Sequence, residues 1–153
     1  MAGNRQEILD LIPHRPPFLW VDSILELNGE ILTTTTTIPD DLELFQGHYP
    51  GNPIVPGVLI CEAVFQSGAL LIAKLIGKTD ELKTNVPVLS RITGCRFKRQ
   101  VLPGDTLVIR VELKERLASA WFIKGVARVN GKVAVQVTFS CTLVPQPTSV
   151  ELP

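Results

Sequence analysis

Residues 57–76 read GVLICEAVFQSGALLIAKLI, and this stretch decides the fold. It predicts one helix about 30 Å long. Apolar residues cover almost its whole circumference, interrupted by Glu62, Gln66, Ser67 and Lys74. A helix of that kind is surrounded by protein. A membrane span is the poorer reading, because Glu62 and Gln66 would then sit in hydrocarbon. Gly77 is a natural terminator, with Lys74 and Lys78 beside the negative end of the helix dipole.

Strand patterns lie on either side of this helix. Residues 18–27 and 30–38 predict two strands joined through Asn28-Gly29, and the threonine run 33–37 suits a strand with a polar outer face. Segments 86–99, 106–117, 120–129 and 132–144 predict four more, with Pro103-Gly104-Asp105 and Asn130-Gly131 as turns. Asn4-Arg5-Gln6-Glu7 resembles a capping box for a short helix ending by Pro13. One buried helix among about six strands implies an α+β fold, an antiparallel sheet curled around the helix. The expected organisation is one domain over residues 1–144 and a loose, Pro-rich tail over 145–153.

Composition narrows the function. Fifteen basic and fifteen acidic residues cancel, so no global field favours nucleic acid or an anionic membrane. The first residues carry Arg5, Glu7 and Asp10 and lack the apolar core of a signal peptide. Cys61, Cys95 and Cys141 are odd in number and widely spaced, which fits reduced cytoplasmic thiols better than disulfides or zinc. No phosphate loop, Ser-His-Asp order or metal-ligand cluster is evident, and no cofactor is expected.

Residues 45–62 read FQGHYPGNPIVPGVLICE. Pro50, Pro53 and Pro56 restrict φ at regular intervals, so the loop holds His48 in place; Glu62 follows just inside the apolar helix. Histidine titrates near neutral pH, while burial favours a protonated carboxyl, so the two offer a base and an acid at one pH. Gln66, one turn beyond Glu62 on the same face, can orient the carboxyl. The plainer readings are a loop histidine bonded to backbone carbonyls, a solvent-facing Glu62 and a Gln66 that satisfies a neighbouring strand.

Three segments in order carry a resemblance. PHRPPFLWVD at 13–22, GHYPGNP with PGVLICEA across 47–63, and RFKR with VLPGD across 96–105 are similar to the FabZ-type 3-hydroxyacyl-acyl-carrier-protein dehydratases of bacterial fatty-acid synthesis. The resemblance covers residues 8–144 and implies a hotdog fold. It implies that His48 removes the proton next to the thioester carbonyl. Glu62 would protonate or position the departing 3-hydroxyl, and the Gly57 backbone N–H would hold the thioester oxygen. Homodimers with shared active sites, which can assemble into hexamers, are likewise implied, as is an acyl-carrier protein as partner. A helix N-terminus is a sound place for developing negative charge, and hydroxide leaves only with a proton.

Two departures bear on specificity. Phe65 stands where FabZ-type members usually carry a small residue, and an aromatic there is more like the related dehydratase-isomerases, which use Asp where this chain has Glu62. Residues 89–93 read LSRIT where the family often has Gly-Ile-Asp, which places Arg91 and Thr93 near the expected substrate tunnel. Arg96, Lys98 and Arg99 read as a solvated strand edge or as a docking patch for the acidic carrier. His14 and Arg15 receive no catalytic role. The competing functions are a hotdog thioesterase, which needs no histidine at position 48, a dehydratase that also isomerises, and a non-catalytic acyl-binding homologue.

Overall fold

Asn-Gly turns and one apolar helix organise the chain much as their patterns predict. The computed structural model describes residues 5–77 and 79–146. In order it contains α1 (Arg5–Leu11), β1 (Ser23–Asn28), β2 (Ile31–Thr37), a 3-10 turn (Glu43–Gln46), α2 (Gly57–Ile76), α3 (Asp80–Thr84), β3 (Asn85–Phe97), β4 (Thr106–Leu117), β5 (Ala120–Val129) and β6 (Lys132–Pro145). The strands form one six-stranded sheet in the order β1-β2-β4-β5-β6-β3, every neighbouring pair antiparallel. The sheet wraps α2, giving the α+β hotdog architecture. Asn4 and residues 147–153, the bulk of the expected tail, lie outside the described residues.

The core is the interface between α2 and the sheet. Val64, Leu70, Leu71 and Ile72 on the helix are fully buried, as are Ile109, Val111 and Ile123 on the strands. Each such side chain contributes roughly 1.5–3 kcal/mol relative to exposure. Two glycines set how closely the layers approach. A Cβ on Gly125 would lie 2.2 Å from Val64 Cγ1, and one on Gly68 would lie 2.8 Å from the Phe139 ring. Gly57–Ile76 is long and apolar enough to cross a membrane, but most of it is enclosed by this sheet. Lys74 pairs with Glu7, which ties α1 to α2.

Three details differ from the sequence expectation. β1 begins at Ser23, not residue 18, because the preceding backbone bonds elsewhere. Pro16 and Pro17 have no N–H to offer a ladder, the Trp20 N–H donates to Gln66 Oε1 at 2.8 Å, and the Phe18 carbonyl accepts from Gln66 Nε2 at 3.0 Å. β3 stops at Phe97 because the Lys98 and Arg99 N–H groups both donate to the Ala134 carbonyl. Finally, the threonine run is polar on its inner face too: Thr34 and Thr36 are buried, and Thr34 Oγ1 meets Ser67 Oγ at 2.8 Å.

The two sheet edges are unequal. β1 has 6 residues, whereas β3 has 13 and exposes Val88, Leu89, Ile92 and Phe97. A long apolar edge with unpaired backbone groups invites a partner strand.

Candidate active site

The loop before α2 is pinned by its own backbone. His48 N–H donates to the Leu44 carbonyl at 3.0 Å, and Ile54 N–H donates back to the His48 carbonyl at 3.0 Å. Tyr49 and Asn52 exchange a reciprocal pair of bonds, and Val55 N–H reaches the Val101 carbonyl at 2.8 Å. Phe45 anchors the start of the loop in the core. The His48 ring stacks on Tyr49 with centroids 4.1 Å apart.

His48 Nδ1 lies 2.7 Å from the Ile54 carbonyl oxygen. A carbonyl can only accept, so Nδ1 carries a proton, and in the neutral ring the lone pair is on Nε2. The plainer reading of this histidine, a ring bonded to a backbone carbonyl, describes one nitrogen, and Nε2 is left outside that bond. His48, Gly57, Phe97, Lys98 and Arg99 line a cavity of about 590 Å³. Gly57 opens α2, and a Cβ there would lie 2.6 Å from the Phe97 ring, so only the bare backbone fits beneath that ring.

Glu62 sits in a second place. Its Oε1 accepts from Gln66 Nε2 at 3.0 Å, the pairing that the one-turn spacing predicts. Gln66 is only 1% exposed, and its amide also bonds the backbone of Phe18 and Trp20. Buried Gln66 thus both satisfies neighbouring backbone and fixes the carboxyl. His14 Nε2 approaches the same Glu62 oxygen at 3.7 Å. His14, Glu62, Phe65, Gln66, Leu89 and Cys141 contribute to a cavity of about 300 Å³. Phe65 packs edge-on against Phe139, centroids 4.8 Å apart.

His48 lines one cavity of this chain and Glu62 the other. Arg91, Thr93 and Arg96 are exposed and line neither. Thr93 donates to the Thr138 carbonyl at 3.2 Å. Lys98 and Arg99 are exposed at the rim of the His48 cavity.

The contact between His14 and Glu62 was not foreseen. The segment carrying His14 is recognisable in sequence, but nothing in its spacing shows that it returns to the second turn of α2. Arg15 secures that return by donating to the Leu9, Ile12 and His14 carbonyls. Burial lowers the His14 pKa below 6.5; Glu62 partly opposes this and the Arg15 charge reinforces it. The folded protein therefore binds this proton more weakly than the unfolded chain. Stability is full above the unfolded value and falls as pH drops through it. Wild type should lose more unfolding free energy than His14→Gln between about pH 7 and about pH 5. Urea titrations at both pH values check this, and equal losses would contradict it.

Burial pushes the Cys61 thiol up to about 12, helped by its contact with Cys95, and the Cys141 thiol likewise to about 12. Both stay protonated at neutral pH and are poor nucleophiles. Among the described residues no three metal-binding side chains gather.

The sequence model of the FabA-like domain matches residues 12–138. The chain belongs to the FabA-like family. This FabA-like chain is 46% identical over 138 residues to a 3-hydroxyacyl-[acyl-carrier-protein] dehydratase FabZ of Proteus mirabilis (strain HI4320), covering 89% of this chain and 90% of that one. A FabZ of Anaeromyxobacter dehalogenans (strain 2CP-C) is 41% identical over 149 residues, covering 93% and 95%. Among solved structures, the dehydratase heterocomplex ApeI:P from Xenorhabdus doucetiae superposes with a TM-score of 0.58 at 18% identity, covering 78% of this chain and 93% of that one. The E. coli PaaI protein from the phenylacetic acid degradation operon superposes with 0.61 at 15%, covering 78% and 80%. At these identities the superpositions speak to fold alone.

Proposed function

We propose that this FabA-like protein dehydrates (3R)-3-hydroxyacyl thioesters on acyl-carrier protein to trans-2-enoyl thioesters in cytoplasmic fatty-acid biosynthesis. The observation that carries the mechanism is the Nδ1 bond of His48 to Ile54, which in the neutral ring puts the lone pair on Nε2. Nε2 takes the proton from the carbon next to the thioester carbonyl. The Gly57 N–H, at the positive end of α2, holds the carbonyl oxygen as charge develops on it. Glu62, oriented by Gln66, protonates the 3-hydroxyl. The C–H electron pair becomes the new double bond, the C–O bond breaks, and water leaves. Proton exchange with solvent resets His48 and Glu62.

A single subunit holds the base in one cavity and the acid in another. That separation favours a homodimer in which His48 of one protomer faces Glu62 of the other. Pairing of the exposed β3 edges would cover the apolar residues there, and dimers can assemble further into hexamers. Lys98 and Arg99 at the cavity rim, with Arg96 nearby on β3, suit docking of an acidic carrier protein.

Phe65 shares the Glu62 cavity, and its ring occupies space an acyl chain could use. We assign it a part in limiting chain length; Arg91 and Thr93, exposed and outside both cavities, receive none. Phe65→Ala should raise the ratio of long-chain to short-chain rates. Because the ring is only half-buried, the stability cost should fall below the ~3–5 kcal/mol of a fully buried phenylalanine. An unchanged rate ratio would reduce Phe65 to packing.

The activity itself is tested with a short trans-2-enoyl thioester, following conjugated absorbance and free thiol together. Loss of absorbance without thiol release is the expected result, since the dehydration is reversible. Thiol release would favour a thioesterase, and no change in either would favour an acyl-binding protein.

A further inference from the structure

We propose that His14 is a positioning residue for Glu62: together with the Gln66 amide it holds Oε1 as an acceptor, and so confines the acidic proton of Glu62 to Oε2. The proposal rests on the reading of Glu62 as the acid. Four features of the His14 and Glu62 surroundings point to it.

The first feature is the approach of His14 Nε2 to Glu62 Oε1 at 3.7 Å, just beyond hydrogen-bond length. A shift of the imidazole by a fraction of an ångström would make the bond. Second, the other ring nitrogen, Nδ1, is buried and has no hydrogen-bond partner. A buried orphan N–H donor is rarer in proteins than an under-satisfied acceptor. The proton therefore belongs on Nε2, beside the carboxyl oxygen, and the lone pair on Nδ1. Third, burial, opposed by the Glu62 charge and reinforced by that of Arg15, lowers the pKa of the ring and so disfavours an imidazolium, which would hold Glu62 as its carboxylate counter-ion and remove the acid. A neutral donor orients the carboxyl without taking over its proton.

The fourth feature is convergence. Gln66 Nε2 donates to the same Oε1 at 3.0 Å, and its own geometry is fixed by the Phe18 and Trp20 backbone. With the Gln66 N–H donated to Oε1 and His14 Nε2 beside that same oxygen, Oε1 is the one suited to be the acceptor of the carboxylic acid. Its O–H is left on Oε2, the atom free to reach a departing hydroxyl. Pro13 and the three carbonyl bonds of Arg15 hold the segment that supplies the second donor.

The test uses the full-length enzyme and steady-state dehydration of one 3-hydroxyacyl thioester. His14→Phe keeps ring volume without a donor, and His14→Gln places an amide N–H near the position of Nε2. His14→Phe should lower kcat by roughly tenfold to a hundredfold with little change in KM, since misplacing a reacting group is felt in the chemical step. His14→Gln should recover most of that loss. In a Glu62→Gln background, His14→Phe should cost nothing further, because the group it positions is gone. Equal kcat for His14→Phe and wild type would overturn the proposal, as would an undiminished loss in the Glu62→Gln background. Near-full activity of Glu62→Gln alone would instead overturn the assignment of Glu62 as the acid, so the two failures are distinguishable.

Discussion

His48→Ala and Glu62→Gln will each lower turnover roughly 10²–10⁴-fold, the range expected when a positioned proton-transfer group is lost. Neither change should unfold the protein. The loop around His48 is closed by backbone bonds that survive loss of the ring, among them His48 N–H to Leu44 and Ile54 N–H to the His48 carbonyl. In Glu62→Gln the new amide keeps the size of the carboxyl, and its oxygen can still accept from Gln66 Nε2. What it lacks is an acidic proton. The effect should therefore appear in kcat far more than in KM. Urea midpoints close to wild type, beside a large loss of kcat, are the expected pair of results. A folded variant of either kind with near-full activity would remove that residue from the mechanism.

Much of this was legible in the chain because local chemistry and tertiary structure agree. The limits of α2 follow from Pro56 before it and Gly77 after it, and its apolar circumference follows from enclosure by the sheet. Asn28-Gly29 and Asn130-Gly131 lie at two of the three tight hairpins. The pairing of Glu62 with Gln66 is a one-turn contact on a single helix, the kind that spacing alone reveals. What spacing could not reveal depends on partners far along the chain. β3 lies beside β6 at the edge of the sheet, although β4 and β5 intervene in sequence. Thr34 turns inward because Ser67 offers it a hydroxyl across the core. Residues 18–20 fit a strand pattern, yet their backbone bonds go to Gln66. The approach of His14 to Glu62 has the same origin, and no periodicity records it. The division of base and acid between two cavities belongs to three-dimensional packing; at the sequence level only the family resemblance implied it.

The second large effect concerns that division. If each site takes His48 from one protomer and Glu62 from its partner, a subunit carrying His48→Ala can be rescued by one carrying Glu62→Gln. In such a heterodimer one site holds both substitutions and the other holds neither. Each parent homodimer has no intact site, so the activity of the mixture must come from contact between unlike subunits. If instead both residues of a site came from the same chain, every site in the heterodimer would lack one of them.

The decisive measurement is the dehydratase activity of the two variants co-expressed with different tags and purified through both. About a quarter to a half of the wild-type rate per protomer is expected, depending on how unlike subunits distribute in larger assemblies. A doubly tagged, folded preparation as inactive as its two parents would contradict it.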